Sequence, residues 1–176
     1  MLRRICVVTG TRAEYGLFLP ILRRIKASKD LTLQLIATTM HTSEEFGFTY
    51  QQIEQDGFVI NEKVENLLAA DSKQAKAKSS GLATILLSDA YSRLQPDVIL
   101  LLGDRFETHA AATTAMLMNI PIAHIHGGEV TEGAIDEKIR HSITKMAQIH
   151  FTSTERYRER VIQLGEEPKN VFCTGA

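Results

Sequence analysis

The sequence alternates short apolar runs with longer amphipathic segments, and this alternation constrains the fold more than any other feature. The apolar runs are typical of buried strands and occupy residues 4–9, 31–38, 58–63, 97–102, 122–126, 149–152 and 171–174. The segments between them have helical spacing of apolar residues, most clearly at residues 14–27, 72–94, 107–118, 135–148 and 154–164. Such alternation indicates βαβ units and a parallel sheet covered on both faces. The sequence therefore predicts an α/β fold with a Rossmann-like parallel sheet flanked by helices.

The composition argues against several classes of partner. The 176 residues are 44% hydrophobic and 23% charged, with a formal net charge of -1, which gives no sign of a nucleic-acid partner. No run of 18 apolar residues occurs, and the run at residues 5–8 is too short for a signal peptide, so we expect a cytoplasmic protein without a membrane partner. Cys6 and Cys173 lie in apolar runs, which favours two reduced thiols in the core.

The chain stops at Thr174-Gly175-Ala176, just as its last predicted strand ends. A domain seldom finishes on an incomplete turn between a strand and a helix. We therefore expect residues 1–176 to be one domain of a larger protein, with a further segment after them.

The turn after the first strand has the composition of an anion-binding turn. Gly10 permits a tight turn, and Thr11 and Arg12 precede a helix whose free N–H groups attract negative charge. Arg12 adds a planar fork of donors suited to phosphate. The alternative is an ordinary turn with a surface arginine, since no complete phosphate-binding motif is present.

Asp104 follows the strand at residues 97–102, where ligands of open α/β sheets bind. A catalytic carboxylate is expected at such a position. The alternative is that Asp104 caps the next helix, with Glu107 three residues later completing a capping box.

The segment from His124 to Glu129 follows the next strand. The period of two along a strand predicts that His124 and His126 share a face, and Gly127 and Gly128 would let the backbone approach a ligand. Glu129 supplies a second carboxylate at the same edge of the sheet. A metal site at the two histidines and a core histidine followed by a glycine turn are the alternatives.

Asp136 brings a third carboxylate to this edge, and Arg140 lies four residues later on the same helical face. Like charges held close together raise one another's pKa values, which suits acids and bases that work near neutral pH. The alternative is a surface ion pair between Asp136 and Arg140, worth only a few tenths of a kcal/mol.

Several segments together resemble the UDP-N-acetylglucosamine 2-epimerase family over nearly the whole chain. They are Thr9-Gly10-Thr11-Arg12-Ala13-Glu14-Tyr15-Gly16, Gly103-Asp104-Arg105-Phe106-Glu107, His124-Ile125-His126-Gly127-Gly128-Glu129 and the stretch from Ile135 to Lys145. The residues Ala13 and Arg105 resemble the hydrolysing branch of the family, which serves sialic and nonulosonic acid synthesis. The non-hydrolysing branch usually has Pro at the position of Ala13 and Thr at that of Arg105. The resemblance implies that the chain is the N-terminal half of a two-domain GT-B fold whose nucleotide-binding domain lies outside it.

The resemblance also implies a reaction and a set of site residues. UDP-N-acetylglucosamine and water would give N-acetylmannosamine and UDP by elimination and hydration, without a metal or other cofactor. Asp104 and Asp136 match catalytic acidic residues of the family, while His126 stands where the family often has Glu, so His126 or Glu129 would act there. The substrate-binding set would be Gly10, Thr11, Arg12, Arg105, His124, Gly127, Gly128 and Arg140.

The sequence leaves more than one substrate and more than one activity open. A 6-deoxy or 4-acetamido sugar, or GDP in place of UDP, is conceivable as substrate, and the resemblance suggests a homo-oligomer. Other interpretations are a GT-B glycosyltransferase, a non-catalytic nucleotide-sugar binding module and a metal-dependent hydrolase that uses His124 and His126. We expect residues 1–176 alone to have little or no turnover.

Overall fold

A seven-stranded parallel sheet forms the centre of the protein in the computed structural model, which describes residues 2–70, 72–132 and 135–175. The strands are β1 (Arg3–Thr9), β2 (Leu31–Thr38), β3 (Glu62–Val64), β4 (Val98–Leu102), β5 (Ile122–Ile125), β6 (Ile149–Thr152) and β7 (Val171–Cys173). The α-helices are α1 (Arg12–Ala27), α2 (Tyr50–Gln55), α3 (Lys73–Leu94), α4 (Phe106–Leu117), α5 (Asp136–Met146) and α6 (Glu155–Gln163). Short 3-10 helices occupy Thr39–Thr42, Glu44–Phe46 and Pro168–Asn170. The prediction of a Rossmann-like parallel sheet flanked by helices is confirmed.

The strand order is β3-β2-β1-β4-β5-β6-β7, so the chain reverses direction across the sheet between β1 and β4. In open parallel sheets, a crevice for ligands opens at this reversal, outside the carboxyl ends of the strands. The turns after β1 and β4, which begin at Gly10 and Gly103, flank it. The fold thus brings two of the predicted site segments together.

Alternate residues along each strand pack into two hydrophobic cores, one on each face of the sheet. Cys6, Ile99 and Leu101 are buried against α3, α4 and α5, whereas Val7 and Leu100 belong to the core beneath α1. The period of two along each strand causes this division. Beside α1, the second face has an apolar groove of about 670 Å³, lined in part by Leu17 and Phe151.

Several predicted boundaries and environments were wrong. The third strand covers residues 62–64 rather than 58–63, because Asn61 bonds to the Leu35 backbone through both its N–H and its side chain before the ladder begins. Helix α1 begins at Arg12, since Thr11 caps it. Cys6 is buried as predicted, but Cys173 is exposed on β7, the last strand of the sheet.

No helix in the described part of the chain combines the length and hydropathy that crossing a bilayer requires. Thr174 and Gly175 follow β7, while Ala176, the last residue of the predicted incomplete turn, lies outside the described residues.

Candidate active site

The turn after β1 is closed by a carboxylate of the protein itself. Thr11 caps α1 by accepting a hydrogen bond from the Glu14 N–H at 3.3 Å, and Glu14 Oε2 accepts the N–H groups of Gly10 and Thr11 at 2.8 and 3.2 Å. This capping box satisfies the N–H groups of Gly10 and Thr11, which lie in the turn before α1, whereas the predicted anion site concerned the free N–H groups of the helix itself. Arg12 is exposed next to the turn. Of the three residues predicted to bind substrate here, Arg12 therefore has the accessible side chain.

Glu14 and Glu107 lie together beneath this turn. Glu107 is 2% exposed, and a Cβ atom at Gly10 would lie only 2.7 Å from Glu107 Cγ, so the close approach requires glycine. Burial, and then the charge of Glu107, raise the pKa of Glu14 to about 7. Glu107 is the partner of Arg105, whose Nε donates to Glu107 Oε1 at 2.5 Å.

The capping interpretation of Asp104 and Glu107 is wrong. The residue that precedes α4 is Arg105, and no side chain caps that helix end. Glu107 turns into the protein toward Gly10 and Arg105, and Asp104 turns toward α5. Asp104 is therefore available for the chemistry of the site.

Arg140 organises the acidic edge of the sheet. It is 6% exposed and binds Asp104 through Nη2, while its Nη1 donates to the His126 carbonyl at 2.8 Å and lies 3.5 Å from Glu129 Oε2. Thr131 Oγ1 accepts from Nη2 at 3.2 Å. The alternative interpretation, a surface ion pair with Asp136, is therefore wrong, because the guanidinium is buried toward the ends of β4 and β5.

Asp104 has the environment of a carboxyl that holds a proton more tightly than usual. Burial raises its pKa, the charge of Arg140 opposes this shift, and the charges of Asp136 and Glu129 add to it. Asp136, the first residue of α5, is half-buried. The three predicted carboxylates thus share one electrostatic environment, although they come from three segments of the chain.

His126 and Glu129 form a pair beside Asp104. Strand β5 ends at Ile125, and His126 adopts a left-handed backbone conformation with φ of 67°, which is uncommon for residues other than glycine. Its Nδ1 lies 3.4 Å from Glu129 Oε1, and Ser153 Oγ donates to the same oxygen at 2.7 Å. The carboxylate is thus fixed from two sides.

His124 does not share a surface with His126, because the chain leaves the strand between them. His124 is fully buried; its Nε2 lies 2.8 Å from the Gly103 carbonyl oxygen, and its Nδ1 lies 3.3 Å from Thr144 Oγ1. Burial lowers its pKa to about 3, so the ring is neutral. We therefore assign His124 to holding the turn after β4 rather than to contact with substrate.

The two glycines after His126 allow close packing within the protein, while the approach of a ligand to their backbone stays a prediction. A Cβ atom at Gly127 would lie 3.2 Å from Thr144 Oγ1, and one at Gly128 would lie 2.4 Å from the Tyr157 carbonyl oxygen. Gly128 also has a positive φ of 80°. These glycines let the turn after β5 pack against α5 and α6.

A metal site at the histidines is not supported by the geometry. Both ring nitrogens of His124 lie within hydrogen-bond distance of other groups of the protein. Among the residues described, no three His, Cys, Asp or Glu side chains are grouped so that they could hold an ion.

Sequence reasoning missed the roles of Glu14, Glu107 and Ser153. The spacing of Thr11 and Glu14 is that of a capping box, so a local signal for Glu14 existed. Glu107 and Ser153 act through contacts between distant segments, and neither position has a local motif that would reveal them.

Comparisons with known proteins find relatives over nearly the whole chain. A family model described as UDP-N-acetylglucosamine 2-epimerase matches residues 23–176. The chain is 49% identical to a hydrolysing GDP/UDP-N,N'-diacetylbacillosamine 2-epimerase of Campylobacter jejuni, covering 99% of this chain and 45% of the relative. It is 33% identical to a Neisseria meningitidis UDP-N-acetylglucosamine 2-epimerase, with coverage of 99% and 45%. The chain thus spans about half the length of the curated relatives it matches.

Solved structures share the fold. A Neisseria meningitidis UDP-GlcNAc 2-epimerase bound to UDP-GlcNAc superposes with a TM-score of 0.86 and 22% identity, covering 98% of this chain and 46% of that one. A lipopolysaccharide galactosyltransferase superposes with a TM-score of 0.64 and 8% identity, covering 97% and 44%. Fold likeness alone does not separate these two activities. The family model matches most of the chain, and the chain belongs to the UDP-N-acetylglucosamine 2-epimerase family.

Proposed function

We propose that this chain is the N-terminal domain of a hydrolysing 2-epimerase that converts UDP-N-acetylglucosamine and water to N-acetylmannosamine and UDP. The observation that carries the proposal is the cluster of Asp104, His126 and Glu129 around the buried Arg140, at the carboxyl ends of β4 and β5. A second domain would supply the remaining nucleotide contacts, with Arg12 near the phosphates. The protein would act in the cytoplasm as a homo-oligomer, with a nucleotide sugar and not a nucleic acid as partner.

The reaction needs one group that accepts a proton and one that donates it. A base removes the proton from C2, the electron pair of that bond forms the C1–C2 double bond, and UDP leaves C1 with the electrons of the C1–O bond. Water then adds its oxygen to C1, and a proton joins C2 on the opposite face. The cluster contains carboxylates and an imidazole in different environments, as such a division of roles requires.

His126 and Glu129 are suited to act as a dyad. When Nδ1 of His126 carries its proton toward Glu129, the other ring nitrogen, Nε2, is left free to accept one. Ser153 holds the carboxylate in place by donating to Oε1. Asp104, whose pKa is raised by burial, is suited to hold the proton that is delivered. Asp136 would complete the acidic set.

The identities to the curated relatives favour an alternative substrate. The identity to the Campylobacter jejuni relative named for GDP/UDP-N,N'-diacetylbacillosamine is 49%, against 33% for the Neisseria meningitidis relative named for UDP-N-acetylglucosamine. A relative from Legionella pneumophila named for the UDP form of the same diacetylated sugar is 40% identical. The nucleotide of a diacetylated amino sugar is therefore the alternative substrate.

Substitution of Glu129 in the full-length protein tests the dyad. We expect Glu129→Gln to lower kcat about 10²-fold with little change in KM. A neutral amide stabilises the positive charge that the His126 ring gains on accepting a proton less well than a carboxylate does. Asp104→Asn should lower kcat about 10³-fold. Release of UDP, measured from pH 5.5 to 9, checks both variants and reports the pKa values that govern the rate.

A matched control is Glu132→Gln, since Glu132 is an exposed glutamate three residues further along the chain. It should leave kcat and the pH profile unchanged. A Glu129→Gln enzyme with the wild-type rate and pH profile would remove the dyad from the mechanism.

A further inference from the structure

A second cavity lies at the same edge of the sheet, on the opposite side of the β4 turn from Arg140. Its volume is about 600 Å³, and its walls come from the turns after β2, the segment after β3 and the start of α4. Arg105 lines it, and the preceding residue, Asp104, belongs to the acidic cluster. The cavity and the cluster therefore adjoin each other across two consecutive residues.

A buried asparagine holds two walls of this cavity together. Asn66 is fully buried, and its Oδ1 accepts hydrogen bonds from Thr38 Oγ1 at 2.6 Å and from the Thr39 N–H at 3.0 Å. Its Nδ2 donates to the Ser79 carbonyl at 3.3 Å, and Ser79 Oγ accepts the Leu68 N–H at 3.0 Å. These bonds join the segments after β2 and β3 to α3, so the cavity is pre-formed.

Thr39 adopts a backbone conformation that costs free energy. Its φ is 55°, which is an outlier for a β-branched residue. Such strain persists only where the surroundings enforce it, and it concentrates at binding sites. Here Asn66 enforces it, at a residue that lines the cavity.

The lining of the cavity combines apolar surface with a fixed cation. Phe46 and Leu68 are 40% and 39% exposed, and both face the cavity. Arg105 is held by Glu107 through Nε alone, and within the described residues its two terminal nitrogens have no hydrogen-bond partner. The hydrogen-bond donors of Arg105 thus lie in the same cavity as the apolar side chains of Phe46 and Leu68.

We propose that this cavity is a specificity subsite for an acylamino group on the part of the sugar remote from C1 and C2; the inference rests on the proposed 2-epimerase reaction and selects the diacetylated sugar nucleotide, given above as the alternative substrate. The carbonyl oxygen of such a group accepts from Arg105, and its methyl group covers Phe46 and Leu68. A hydroxyl at the same position leaves that apolar surface uncovered. The subsite therefore favours a sugar with a second acylamino group over one that carries a single such group.

The test compares two substrates in the full-length protein, UDP-N,N'-diacetylbacillosamine and UDP-N-acetylglucosamine. Ala69 is an exposed residue that lines the cavity, so Ala69→Phe fills it without disturbing the core. We expect the ratio of kcat/KM for the diacetylated over the monoacetylated substrate to fall at least tenfold. Phe46→Ala, which removes the apolar surface, should lower the same ratio about fivefold.

Ile85→Phe is the matched control, because Ile85 is 64% exposed on α3 and does not line the cavity. It should leave the ratio unchanged. Turnover with an unaltered ratio in both cavity variants would overturn the subsite and leave the proposed function standing. Absence of turnover of both substrates by the wild-type enzyme would overturn the proposed function and the subsite with it.

Discussion

The guanidinium of Arg140 joins side chains from three different segments of the chain. It binds Asp104 after β4 and contacts Glu129 and the His126 carbonyl after β5, while its own backbone lies in α5. A planar guanidinium with several fixed donors can hold carboxylates in a set arrangement, which a flexible ammonium group cannot do as well. Arg140 is therefore a positioning residue for the acidic cluster.

Arg140 belongs to the predicted substrate-binding set, and the sequence indicated only Asp136 as an alternative partner for it, not Asp104. The spacing of four residues to Asp136 is visible locally, whereas Asp104 is 36 residues away and becomes a neighbour only when β4, β5 and α5 pack together. The same limit applies to Gly10 and Glu107, whose contact depends on β1 and β4 lying side by side. Residue identities at the strand ends could thus be predicted, but the pairing between them could not.

The Glu14 carboxyl makes stability depend on pH. Its pKa is raised from the ordinary 4.5 to about 7, so the folded state binds its proton more tightly than the unfolded state does. This contribution to stability is present in full below pH 4.5 and is lost as the pH rises toward 7. We expect Glu14→Gln, which cannot ionise, to gain about 3 kcal/mol in unfolding free energy relative to wild type between pH 4.5 and 7.5.

Urea unfolding of the two proteins at several pH values, followed by circular dichroism, checks this prediction. Glu159→Gln is a suitable control, because Glu159 is an exposed glutamate on α6. A difference between wild type and Glu14→Gln that stays constant with pH would mean that folding does not raise the pKa of Glu14.

At the level of elements, the turn after β5 depends on glycine at position 128. Alanine there would place a methyl group 2.4 Å from the Tyr157 carbonyl oxygen, in addition to requiring φ of 80°. We expect Gly128→Ala to lower the free energy of unfolding by about 3 kcal/mol, because backbone of α6 must move. Thermal or urea unfolding gives this value directly.

Gly47→Ala separates packing from backbone strain. Gly47 has a similar φ of 74°, but nothing lies within 4 Å of the position of its Cβ. In Gly47→Ala only the backbone strain at positive φ remains, so the free energy of unfolding should fall by about 1 kcal/mol. Equal losses in the two variants would show that the contact with Tyr157 is relieved at no cost.

The bounds of some strands could be predicted from the sequence, whereas those of others could not. The bounds of β2 and β6 agree with the predicted runs, because continuous apolar residues between turn signals leave little choice. Strand β3 was misplaced, since its three residues lie at the edge of the sheet and pair only with β2. His126 was assigned to a strand that ends one residue earlier, because its left-handed backbone has no signature in the side chain.

At the level of the whole molecule, the sheet order explains why the predicted site segments converge. The reversal between β1 and β4 places the turns that begin at Gly10 and Gly103 side by side, and β5 follows next to β4. The chain covers 45% of the length of its Campylobacter jejuni relative, and the proposal of a two-domain enzyme rests on this comparison. Residues 1–176 alone are accordingly expected to have little turnover.

Proton NMR of UDP-N-acetylglucosamine in heavy water with the full-length protein tests the central claim most directly. Elimination followed by hydration predicts the appearance of UDP together with N-acetylmannosamine that carries deuterium at C2. Release of UDP with an amino sugar that keeps its original C2 proton and configuration would contradict the mechanism, because that result requires simple hydrolysis at C1.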